Sequence, residues 1–135
     1  FRTPEEYMSA SDDAGGDALE HARSQLGEAL SQLRAAGTIE ESIMEARPAW
    51  YLPFRIVLGQ SRTGPGDANF IWVIGGKVPI DCLPSNIATT ARDAARHFSL
   101  KWQLDSERLV GEEAANLVRI AEYLYSIVDN DDYWN

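Results

Sequence analysis

The chain has 135 residues, 44% hydrophobic and 24% charged, a size and mixture that fit one globular domain and exclude collagen-like, fibrous and globally disordered classes. Twenty-one acidic against 12 basic residues give a net charge of −9, a field that repels nucleic-acid phosphates and anionic lipid; it serves solubility or attracts a basic protein partner. No apolar run approaches the roughly 20 residues a membrane span needs, and no basic-then-apolar leader opens the chain, so the expectation is a single domain over residues 1–135 with no nucleic acid and no membrane among its partners.

The chain opens at Phe1, and Thr3-Pro4-Glu5-Glu6 carries a helix-start signature: threonine as cap, proline at the first helical position, Glu6 reaching back. A short helix is expected there, followed by a connector over residues 9–16, where two aspartates and a Gly-Gly pair cluster. Asp17 then caps a helix whose Leu19, Ala22, Leu26, Leu30 and Leu33 form one stripe, with Gly37 as its left-handed stop. Thr38-Ile39-Glu40-Glu41 repeats the capping pattern and predicts a helical turn before the chain becomes extended at Arg47-Pro48.

From Trp50 to Gly59, Trp50, Leu52, Phe54, Ile56 and Leu58 alternate with their neighbours, which predicts one strand with a buried face. Pro53 has no amide hydrogen to give a ladder, so the strand's early half is expected on an edge or irregular. A turn-rich loop, SRTGPGDAN, separates it from Phe70–Ile74, a continuous apolar run expected as the central strand. Gly75-Gly76 then reads as a tight hairpin turn and Lys77 to about Cys82 as a short third strand. Thr90 with Asp93 caps a helix whose Ala91, Ala94, Ala95, Phe98 and Trp102 share a face, and Asp105-Ser106 breaks it. The last helix is expected from Glu107 to Val128, with Leu109, Leu117, Ile120, Ala121, Leu124 and Val128 inward, and the acidic tail 129–135 is expected to fray. The sum is an α+β fold in the order α-α-β-β-β-α-α: a two- or three-stranded, mainly antiparallel sheet packed against three main helices.

Phosphate-binding loops fail on the residues. Around Gly76-Lys77 the positions a P-loop gives to its first glycine and its hydroxyl hold Ile71 and Val78, and Gly64-Pro65-Gly66 leads into a strand, not a helix. Cys82 is the only cysteine, which excludes an internal disulfide and a multi-cysteine zinc site and suits a reducing cytoplasm. His21 and His97 each follow an aspartate by four residues, Asp17 and Asp93, a spacing of helical pairs. With no serine or cysteine in a nucleophile elbow, no catalytic residue, metal site or cofactor is assigned.

Asp81 sits among Ile80, Cys82 and Leu83, where an unpaired carboxylate is costly. It needs a donor: backbone amides near Thr89 and Thr90, Arg92 or Arg96, or else a ligand. Tyr133 and Trp134 must either dock back on the domain or form an exposed partner contact.

The span from Pro48 to Trp102 combines a tryptophan-proline strand, the run WVIGG-x-x-P-x-D, and a threonine-capped A-R-D-A-x-R helix ending in K-W. It resembles an uncharacterised bacterial domain family whose second strand reads W-V-I-x-G-D-x-P-T-D; Lys77 and Ile80 depart from that pattern. The resemblance implies a bacterial, cytoplasmic α+β protein and carries no activity. Two readings of function follow: a non-enzymatic protein-binding module of regulatory or immunity type with a basic partner, or a small-molecule-binding protein or enzyme. The second would place a pocket between the hairpin and the capped helix, lined by Trp72, Asp81, Arg92, Arg96 and His97. Self-assembly is a third, structural role.

Overall fold

The computed structural model describes residues 4–39, 46–62 and 70–134, with side chains described from residue 16 onward. Helix α1 (Pro4–Ala35) leads into β1 (Ala46–Leu52), β2 (Ile56–Arg62), β3 (Phe70–Gly76) and β4 (Asp81–Pro84); α2 (Ala91–Ser106) and α3 (Gly111–Val128) follow. The four strands form one antiparallel sheet in sequence order, β1-β2-β3-β4. The α+β class is as expected, but the sheet has four strands where two or three were expected, and the order is α-β-β-β-β-α-α.

One difference lies in α1, which continues through residues 9–16 where a connector was expected. Glycine inside a helix costs about 1 kcal/mol relative to alanine and does not by itself end it. Asp17 is therefore an interior residue and not a cap, while Thr3 lies outside the described residues. Of the stripe, Ala22, Leu26, Leu30 and Leu33 are buried, with Ala18 and Ala29 beside them, while Leu19 is half-buried. Gly37, at φ 73°, ends the helix in a paired-bond stop, Thr38 N donating to Leu33 O at 2.9 Å and Gly37 N to Arg34 O at 3.0 Å. Glu40 and Glu41 of the capping pattern at 38–41 fall outside the described residues.

The expected single strand from Trp50 to Gly59 is a hairpin. Arg55 N donates to Leu52 O at 2.9 Å, and Phe54 has φ 61°. Proline followed by a positive-φ residue makes this a type II turn. The alternation was blind to it because Leu52 pairs with Ile56, Tyr51 with Val57 and Trp50 with Leu58, so each pair has the same parity and the apolar phase runs through the turn unbroken. Pro53 thus occupies the turn; Pro48 lies on the edge strand β1, beside a register shift between Pro48 and Trp50, where a missing donor is harmless.

Gly75-Gly76 is likewise not the hairpin turn. The pair closes β3, opposite Val57 and Ile56, and residues 77–80 connect to β4. A Cβ on Gly76 (φ 103°) would lie 2.4 Å from Arg55 O, so the backbone of the neighbouring turn requires glycine here. The third expected strand accordingly starts later, at Asp81.

Three layers result. On one face α1 covers Val57 and Val73, coming so close that a Cβ on Gly59 would lie 2.5 Å from a Leu26 methyl. On the other face α2 and α3, packed chiefly on each other, enclose Ile56, Leu58, Trp72 and Ile74 with Phe98, Trp102, Ala121, Leu124 and Val128. Each such large side chain contributes about 1.5–3 kcal/mol on burial. Thr90 caps α2 as read, its hydroxyl accepting from Asp93 N at 3.1 Å. α3 begins at Gly111, four residues later than expected, and Leu109 in the preceding turn is exposed rather than inward.

Candidate functional site

The residues grouped as a pocket separate along α2. Asp81, at the start of β4, is met by the C-terminal half of the helix: its Oδ2 accepts from Lys101 Nζ at 2.6 Å and Trp102 Nε1 at 3.1 Å, and its Oδ1 from Cys82 N at 2.8 Å. Lys101 also reaches Asp105 at 3.2 Å. Arg92 lies nine residues before Lys101, about 14 Å along a helix, and there it donates to Val128 O and Asp131 at 2.8 and 2.7 Å. Arg96 pairs with Asp93 at 2.8 Å, and His97 Nε2 stands 3.8 Å from the same carboxylate. Trp72 is 1% exposed, its indole donating to Ala88 O at 3.1 Å.

The donors expected for Asp81, the arginines or amides near Thr89 and Thr90, are therefore replaced by Lys101 and Trp102. The K-W pair was visible in the sequence, but only the docking of α2 across β4 brings it to Asp81. Burial opposes the Lys101 ammonium, yet the hydrogen bonds and charges of Asp81 and Asp105 outweigh it and hold the pKa above its ordinary 10.5. Cys82 is pushed above its ordinary value by burial and then by the Asp81 charge, against a smaller opposing effect of Lys101. Its thiol is thus held in the protonated, weakly nucleophilic form.

The acidic tail docks instead of fraying. After α3 it forms a short 3-10 turn over Asp131–Tyr133. The Trp134 indole then stacks on Trp50 with centroids 4.2 Å apart and planes at 17°. Its Nε1 donates to Ile127 O at 2.9 Å, while Trp50 Nε1 donates to Tyr133 O at 2.8 Å. Tyr133 keeps its side of the turn exposed.

A shallow hollow between α1 and the β1–β2 turn is lined by His21, Gln25, Leu52, Phe54 and Gly76 and has about 180 Å³ of empty space, open mouth included. That is below the range of about 300–1,000 Å³ typical of small-molecule sites. Among the described residues no cluster of three or more His, Cys, Asp or Glu is arranged to hold a metal ion, and no helix is long and apolar enough to cross a membrane.

What sequence reasoning missed is the outer face and tip of the α2–α3 pair. Leu100 and Leu104, one turn apart on α2 and opposite its buried face, are 43% and 64% exposed; Leu109 and Val110, just past the helix end, are 36% and 86% exposed. Amides of Glu107, Arg108 and Leu109 bond back to Leu104, Asp105 and Ser106 carbonyls at 3.1–3.2 Å, which keeps this turn tight against the end of α2. Glu107, Glu112 and Glu113 are exposed around it. Leu109 had satisfied the helical stripe, and only the late start of α3 turns it outward.

The chain belongs to the family described as Domain of unknown function (DUF4826), which matches residues 17–134. No curated protein and no solved structure matches it.

Proposed function

We propose that this chain is a non-enzymatic protein-binding module that docks a positively charged protein on the outer face and tip of the α2–α3 pair. The observation that carries this reading is the exposure of Leu100, Leu104, Leu109 and Val110 on adjoining turns. Single exposed apolar residues are ordinary, whereas an apolar patch ringed by polar groups is the usual mark of a protein contact. Glu107, Glu112 and Glu113 supply an acidic rim. Two copies of a chain carrying −9 repel each other, so charge favours a basic partner over a second copy.

The polar groups elsewhere support the same reading. Asp81, Arg92, Arg96 and Trp72 are each engaged by the fold, and the aromatic tail is occupied in docking on Trp50. The test is a photo-crosslinking residue at position 110, with position 23 on the exposed side of α1 as control, in cells that express the protein. The reading requires a basic protein crosslinked at 110 and not at 23, whose purified complex weakens at least tenfold with Leu104→Ser plus Val110→Ser. A purified partner that binds this double variant as well as the parent chain refutes the site.

A further inference from the structure

Resting on that reading, we infer that the partner presents an amphipathic helix to this site: a stripe of apolar residues at helical spacing, flanked by lysine or arginine, laid across α2. The class of element follows from what the protein offers at each of its surfaces. An extended peptide would need an open sheet edge. Here β1 carries Pro48 and a register shift, and β4 is four residues long and ends in Pro84. Short strands, prolines and irregular pairing are the devices that block strand addition.

The patch on α2 has different geometry. Leu100 and Leu104 are separated by four residues, so their side chains form a ridge along a convex helix. Such a ridge fits the groove between ridges on a second helix. Leu109 and Val110 are exposed in the tight turn that follows the end of α2 at Ser106, which adds apolar surface at the tip. Along the same outer face Asp93 and Arg96 already satisfy each other at 2.8 Å. The unpaired sign is therefore set nearer the tip, where Glu107, Glu112 and Glu113 outnumber Arg108. A helix crossing there meets apolar contact at its centre and negative charge at its flank, so its own flank must be basic.

The test uses three synthetic 18-residue peptides and the isotopically labelled full chain. One has leucines at helical spacing with lysine elsewhere, the second replaces lysine by glutamate, and the third keeps the lysine peptide's composition with leucines at every second position. Amide shift mapping and titration are read for the parent chain and for Leu104→Ser plus Val110→Ser, a variant of unchanged net charge with both sites exposed. Expected are shifts confined to about residues 96–113 and binding of the helical lysine peptide at least tenfold tighter than either other peptide, lost in the variant. Equal binding of the alternating peptide overturns the helical class, and equal binding of the glutamate peptide overturns the basic flank. Binding unchanged in the variant, or shifts on other acidic surfaces, overturns the whole inference. A basic protein crosslinked at position 110 while no peptide binds would leave docking standing and remove the helix.

Discussion

Replacing Asp81 with alanine removes one acceptor atom from Lys101 and Trp102 and another from Cys82 N, and the three losses differ in size. The Trp102 indole N–H is attached to a residue 1% exposed, so stranding it costs about 1–3 kcal/mol. Losing the Cys82 amide bond adds about 0.5–1.5 kcal/mol. Lys101 contributes least although its contact is shortest, because its side chain is 37% exposed and can turn to water while keeping Asp105, so that pair is worth about 0–1 kcal/mol. The expected total is about 2–4 kcal/mol, or near 10 °C in Tm for a domain of this size. Urea denaturation of Asp81→Ala, Trp102→Phe, Lys101→Met and the two double variants checks it. Coupling of Asp81 to Trp102 should be about 1–2 kcal/mol and to Lys101 below about 1 kcal/mol. A loss under about 0.5 kcal/mol, or coupling concentrated on Lys101, refutes the reasoning and reopens Asp81 as a ligand group.

The remaining predictions concern the tail, the end of β3 at Gly76, the β1–β2 turn and Lys101. Trp134→Ala should cost about 2 kcal/mol and redden Trp50 emission as the stack and its two indole bonds are lost; unchanged emission would mean that the tail does not dock in solution. Gly76→Ala should cost at least about 3 kcal/mol, since positive φ and a Cβ 2.4 Å from Arg55 O both oppose it, and a fully folded variant of parental Tm would contradict the fit. Phe54→Asn should stabilise by about 0.5–1 kcal/mol, because asparagine tolerates the left-handed turn position; a loss would show that the ring's 5.1 Å contact with His21 outweighs the strain. Lys101 has a folded pKa raised above 10.5, so its contribution is fully present below that value and disappears as pH rises through the folded pKa. The stability difference between the parent and Lys101→Met should accordingly be flat at neutral pH and shrink above about pH 10.5; a difference that grows there would reverse the assigned sign.

Helices were legible wherever a period and a stop coincided. The stripe from Ala22 to Leu33 with Gly37, and Thr90-capped α2 with Phe98 and Trp102, needed only the 3.6-residue repeat and cap chemistry. The succession of helical and strand periods pointed to the α+β class, and composition to the acidic field. The turn at Pro53-Phe54 was not legible, because a pairing of Leu52 with Ile56 preserves the parity of the alternation, and only the observed cross-strand register separates a hairpin from one strand. Gly75-Gly76 misled for a related reason. Glycine marks turns and close backbone approach alike, and which applies depends on Arg55 O and Ala29, far from the pair in sequence. The candidate site was the least visible. A leucine stripe looks the same whether it faces a core or solvent, and Leu100, Leu104 and Leu109 became a surface only because the sheet lies on the opposite side of α2 and α3 begins four residues late. Local chemistry decides which segments become helix or strand, while the choice of covered face is a property of what packs against them.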